Sequence, residues 1–113
     1  MSINNKAISR IKSYERAGKV FDELEISPSL GQLVRSLREC DEISQVALAG
    51  KLGVSRQFLS DVEHDRKVVG VDFAKKLSRA MGYPIETFLQ PIIDGQLKRA
   101  GIKAKVEIIS NAS

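Results

Sequence analysis

Apolar residues recur along most of this chain at helical spacing and alternate only near its end. From Ile3 to Leu24, the residues Ile3, Ala7, Ile11, Tyr14, Phe21 and Leu24 suit one helical stripe with basic residues elsewhere on the surface, which predicts an N-terminal helix. Gly18 weakens its middle by about 1 kcal/mol relative to alanine, and no strong cap precedes it, so the segment equally reads as an arm that orders on contact with a partner. Ser27-Pro28 is a helix-start signal: serine can cap free backbone N–H groups, and proline at the first helical position lacks one. Leu30, Leu33, Val34 and Leu37 follow at i, i+3, i+4 and i+7, a core-facing stripe that ends near Cys40. Beyond Asp41-Glu42, Ser44 can cap a second, short helix from Gln45 to Leu52 carrying Leu48, Ala49 and Leu52, and Gly53 suits the left-handed turn that ends it. Ser55 caps a third helix with Leu59 and Val62 on its inner face, while Arg56, Gln57, Ser60 and Asp61 point elsewhere and Asp65-Arg66-Lys67 closes it in a charged loop. Val71, Ala74, Leu77, Ala80 and Met81 support a fourth helix closed by Gly82. Pro84 then opens a short fifth one with Ile85, Phe88 and Leu89, which Pro91 is expected to stop. Finally, Ile102, Ala104, Val106 and Ile108 alternate with Lys103, Lys105 and Glu107, which is strand spacing with one apolar face.

The fold class expected is mainly all-α: five helices over residues 27–91, an N-terminal amphipathic helix or arm over 1–26, and an extension over 92–113 with a short C-terminal β-strand. A lone strand has neither hydrogen-bond partners nor a cover for its apolar face. Ile102, Ala104, Val106 and Ile108 are therefore expected to pair with their symmetry mates in a homodimer.

Composition narrows the class of function mainly by exclusion. No apolar run approaches the roughly 20 residues of a membrane span, and Met1 to Tyr14 lack the continuous apolar stretch of a secretory signal, so a soluble cytoplasmic protein with no membrane partner is expected. The single cysteine, Cys40, cannot form an intramolecular disulfide, and the single histidine, His64, cannot build a metal cluster with it, so no metal and no cofactor are expected. A glycine-rich phosphate loop is lacking, as is any serine or cysteine partnered by histidine at a recognisable spacing, which argues against an enzyme. The net charge of +4 sits in residues 1–20, where Lys6, Arg10, Lys12, Arg16 and Lys19 face only Glu15. A balanced body can still bind DNA if its basic residues share a face, so the partner must be read from spacing rather than from net charge.

That spacing is informative from Gln45 to Glu63. Two short helices joined by a tight glycine turn can lay the second helix in a DNA major groove while the first braces it across the backbone. The arrangement needs a small residue where the helices cross, met by Ala49, a residue that can reverse the chain, met by Gly53, and buried inner sides, met by Leu48, Val54, Leu59 and Val62.

The stretch ISQVALAGKLGVSRQFLSDVE, together with RAMGYP at the end of the fourth helix, resembles the Xre/Cro family of phage-repressor-like helix-turn-helix proteins, the likeness extending from about Leu30 to Leu89. The resemblance implies double-stranded DNA as partner and a role as transcriptional regulator. It places Arg56, Gln57 and Asp61 against base edges, with Ser60 in reach of a base or a phosphate. Physical chemistry agrees: arginine grips guanine, glutamine pairs with adenine, and a carboxylate accepts from cytosine. Phosphate contacts fall to Gln45, Ser55, Arg66 and Lys67, which bind without reading sequence. The family pattern also implies a partly buried ion pair between Arg38 and Glu63. One departure stands out, because Asp65 occupies a position where the family commonly has glycine, which bears on the shape of the loop and adds a negative charge near DNA.

Two roles remain open within that reading. Compact members with an extra arm resemble HigA- and HipB-type antitoxins, which bind a toxin and repress their own operon, and the amphipathic N-terminal segment suits a partner's groove. The alternative is a phage or mobile-element repressor without a toxin partner.

Overall fold

A computed structural model describes residues 27–109, so the helix or arm expected over residues 1–26 lies outside the described residues. Five helices follow in order: α1 (Leu30–Cys40), α2 (Gln45–Leu52), α3 (Arg56–Glu63), α4 (Val71–Met81) and α5 (Ile85–Arg99). Among the described residues no helix is long and apolar enough to cross a membrane.

Local chemistry sets most of the boundaries. Helix α1 starts two residues later than Ser27-Pro28 suggests, because Ser29 can form a reciprocal capping box. Ser29 Oγ accepts from the Gln32 N–H at 3.1 Å, and Gln32 Oε1 accepts from the Ser29 N–H at 3.0 Å. Ser27 has apolar Leu30 three residues on, which cannot return such a bond. Ser44 and Ser55 cap α2 and α3 as expected, and Gly53 closes α2 in the left-handed region at φ 71°.

The inner faces meet in one core, with Val34, Leu37, Leu48, Leu59, Leu77, Met81 and Phe88 wholly buried. Burial of each large apolar side chain is worth roughly 1.5–3 kcal/mol, so this cluster holds the helices together. Polar ties reinforce its edges. The Tyr83 hydroxyl donates to the Asp41 carboxylate at 3.0 and 3.1 Å, fastening the turn before α5 to the loop after α1.

Two expectations are overturned. Pro91 does not stop the fifth helix, which runs on to Arg99 with Pro91 inside it. An interior proline loses one backbone bond and crowds the preceding turn, at a cost of about 3 kcal/mol or more. Here Pro91 and Ile92 are both buried, and that apolar contact offsets the loss. Secondly, residues 102–109 hold no strand. A strand is defined by a ladder with a neighbour, and among the described residues none lies beside this segment. Instead it folds back along α5, where the Ile102 N–H donates to the Leu97 carbonyl at 2.9 Å and the Ile108 N–H to Gln90 Oε1 at 3.0 Å. Ile102, Ala104, Val106 and Ile108 thus lie in a segment whose apolar alternation is present but which has no partner strand among the described residues.

Candidate nucleic-acid interface

Helices α2 and α3 and the turn at Gly53 make the expected pair of short helices, crossing where Ala49 is 2% exposed. Leu59 and Val62 fasten α3 to the core, which leaves its opposite face outward. Ser55, Arg56 and Gln57 are exposed at the N-terminal end of that face, and Ser60 and Asp61 are half-buried further along it. Arg66 and Lys67 are exposed in the loop that follows, and hydrogen bonds of Arg56 with Gln45, of Gln57 with Asp61 and of Arg66 with Asp61 bring together five of the residues expected to read bases or touch phosphates.

Beneath this face lies the one buried ionised side chain of the described core. Glu63 is 4% exposed and accepts from Arg38 Nε at 2.7 Å and Nη2 at 3.1 Å, a two-pronged pair of the kind that planar guanidinium and carboxylate groups favour. Arg38 also donates from Nη1 to the Ile43 carbonyl at 2.9 Å, so its fork is shared between the buried carboxylate and the start of α2. The hydrogen bond from Arg38 to Glu63 is the largest influence on the guanidinium and raises its pKa further above the ordinary value.

Gln45 connects that pair to the surface. Its Nε2 donates to Glu63 Oε1 at 3.1 Å, while its Oε1 accepts from Arg56 Nη1 at 3.1 Å. An amide with one end on a buried carboxylate has its orientation fixed, and a fixed Oε1 in turn aims the Arg56 guanidinium. Gln45, expected as a phosphate contact, therefore also links the ion pair to Arg56, which is expected to read a base. Spacing along the sequence could not disclose this role, since the partners are 18 and 11 residues away.

A second group forms around Asp61. One oxygen, Oδ1, accepts from Gln57 Nε2 at 3.0 Å and from Arg66 Nε at 3.0 Å, with Arg66 Nη2 also at 3.0 Å. The Arg66 hydrogen bond is the main cause that holds the Asp61 carboxyl below the usual carboxylate range, with the Gln57 bond a lesser one. Because all these donors use Oδ1, the other oxygen of Asp61 and the Oε1 of Gln57 both remain able to accept a hydrogen bond. Ser60 is differently engaged: His64 Nδ1 lies 2.7 Å from its carbonyl, to which it donates, and 3.5 Å from its hydroxyl. Lys67 sets its ammonium 4.4 Å from the centre of the Phe58 ring, which packs at 5.7 Å on Phe73 of α4.

Asp65 resolves the question of loop shape. It adopts the left-handed conformation at φ 58° that glycine would supply, and its Oδ2 accepts from Ser29 Oγ at 2.8 Å. The carboxylate is drawn to the N-terminus of α1, where the helix dipole favours negative charge. The loop is thereby closed against α1. Gly31 makes the same approach possible, since a Cβ there would stand 2.8 Å from the Glu63 carbonyl oxygen and 2.6 Å from the Asp65 carboxylate. Neither Ser29 nor Gly31 carries a sequence signal for this role, because Ser29 acts on the side chain of Asp65 and Gly31 meets the backbone of α3, both more than 30 residues away. Cys40 is exposed at the end of α1, and among the described residues no cluster of histidine, cysteine and carboxylates could hold a metal ion.

Comparison with known proteins agrees with this geometry. A family model described as helix-turn-helix matches residues 34–88, from the middle of α1 to Phe88 of α5. No curated protein and no solved structure matches the chain.

Proposed function

We propose that the protein is an Xre/Cro-like helix-turn-helix regulator of transcription, a reading supported by the match of residues 34–88 to the helix-turn-helix family, and that it acts as a repressor, not an enzyme, that grips a near-palindromic operator as a homodimer. The observation that carries the reading is the outward face of α3, on which Arg56 and Gln57 are exposed yet already aimed by Gln45 and Asp61. Side chains held before binding lose less freedom on binding, which suits a surface that discriminates between sequences. Arg66 and Lys67 add charge where a phosphate backbone would pass.

The two classes of residue should fail differently on a duplex selected from random sequences and on a scrambled control, measured at several salt concentrations. Gln57→Ala is expected to cost about 1–3 kcal/mol on the selected site and to relax preference at one position per half-site. Lys67→Ala should weaken both duplexes alike and lower the salt slope by about one unit. Equal losses on both duplexes for Gln57→Ala and Arg56→Ala would remove α3 as the recognition element.

Our finer reading is an antitoxin that represses its own operon. Its support is the basic amphipathic sequence of residues 1–26, which suits the groove of a protein partner. A partner that co-purifies with the full chain and is lost on deletion of residues 1–24, with operator binding kept, is the expected result. Loss of operator affinity instead would make that segment a DNA clamp and favour a phage or mobile-element repressor.

A further inference from the structure

The C-terminal segment has two unequal edges. Toward α5, the Ile102 N–H donates to Leu97, the Val106 carbonyl accepts from Gln90 Nε2, and the Ile108 N–H donates to Gln90 Oε1. These are all even-numbered residues, and in an extended chain the main-chain groups of residues i and i+2 leave by the same edge. The Gln90 carboxamide thus stands where the peptide of a neighbouring strand would stand, and it is steadied on α5 by a 3.1 Å bond from Nε2 to Asp94 Oδ1. On the other edge, the N–H and C=O groups of Lys103, Lys105, Glu107 and Ile109 make no hydrogen bond among the described residues. Ile102 and Val106 are 51% and 38% exposed, so the apolar face of the segment is also largely uncovered.

The geometry points to this free edge as the seat of the same segment from a second copy of the chain, antiparallel and centred on Val106. This rests on the homodimer reading above and adds the surface and its register. Residues facing each other across an antiparallel ladder are either both hydrogen-bonded or both not. With only odd-numbered groups on the free edge, odd residues must face odd and even face even, so the two-fold axis passes through a residue and not between two. Charge then selects which one, since like charges directly opposite destabilise a pair and opposite charges stabilise it. An axis at Ala104 sets Lys103 against Lys105 twice. At Lys105 two Lys103–Glu107 pairs form but that lysine meets its own mate, and at Glu107 two carboxylates meet. At Val106 each Lys105 faces a Glu107, Val106 lies on Val106, and Ala104 lies opposite Ile108. Gln90 occupies the inner edge, so no further strand can add there and the assembly closes at two chains.

Cysteine pairing in the full chain carrying Cys40→Ser reads the register directly. Val106→Cys should form a disulfide-linked dimer under mild oxidation, because residues facing at a non-hydrogen-bonded position lie within disulfide reach, whereas Lys105→Cys, whose mate is diagonal, should not. Lys105→Glu should raise the dimer dissociation constant about tenfold or more, and Lys105→Glu with Glu107→Lys should return it close to the original. Preferential cross-linking through residue 105, or a dimer indifferent to Lys105→Glu, would overturn the register while leaving the homodimer standing. A chain that is monomeric by light scattering at the concentrations used for operator binding would overturn the homodimer reading itself.

Discussion

Around α3, the polar side chains that face outward are held by one another, whereas along residues 102–109 alternate main-chain groups have no partner among the described residues. Arg56 is aimed through Gln45 by a carboxylate that is 4% exposed, and Gln57 and Arg66 share one oxygen of Asp61. The C-terminal segment hangs chiefly on one glutamine side chain. The difference tracks what each region would meet. A duplex presents fixed donors and acceptors, which reward side chains whose positions are settled beforehand, while a second copy of a strand supplies the missing half of a ladder. Order within the chain is therefore complete where a foreign surface is to be matched and incomplete where the chain can complete itself.

The sharpest way to break this contrast is to remove the buried charge. Glu63→Gln would leave Arg38 without its ionised partner and is expected to lower stability by about 3–5 kcal/mol, a large drop in melting temperature. Gln90→Ala at the other end should stay within about 0.5 kcal/mol, since it touches only exposed or half-buried groups. Comparable melting temperatures for the two variants would mean that the ion pair is no more important to the fold than the surface clamp.

Smaller effects should follow at the loop. Asp65→Ala keeps the left-handed backbone but loses the bond to Ser29, and about 1 kcal/mol of stability should go with it. Asp65→Gly loses the same bond but relieves about 1 kcal/mol of backbone strain, so it should unfold close to the parent chain in urea. Identical midpoints for the two variants would show that residue 65 carries no strain.

The smallest effect concerns acid. Since Arg66 holds the Asp61 carboxyl below its ordinary 3.8, the ionised form favours folding. This contribution is fully present above that value and is lost as pH falls through the lowered one. Melting followed from neutral to acid pH should show a slight extra loss below 3.8 in the parent chain, absent in Asp61→Asn. An unaltered acid limb would mean that Asp61 and Arg66 are not paired in solution.

What could be read from the sequence was whatever depends on near neighbours. Apolar spacing located α2, α3 and α4, and serine caps with Gly53 located the turn between α2 and α3, because each is decided within a few residues. The outward placement of Arg56 and Gln57 follows from the same periodicity. Pro91 misled, since its local cost is fixed but the burial that offsets it is tertiary. The links from Gln45 to Glu63 and from Asp65 to Ser29 were hidden for the same reason, as they exist only once α1 and α3 are side by side. The C-terminal alternation was legible as a pattern, but a pattern names a face and not the neighbour that would turn it into a strand.

The close approach at Gly31 has a mechanical consequence. Helix α3 is about 12 Å long, and its C-terminal end rests against the backbone of α1 with no side chain between them. A methyl group at residue 31 would act as a wedge under that end and swing the other, where Arg56 and Gln57 project, by a larger arc. Gly31→Ala would then behave as a lever on the grip: a folded chain whose recognition helix meets the groove at the wrong tilt, and whose activity in cells fades on warming before the protein itself melts.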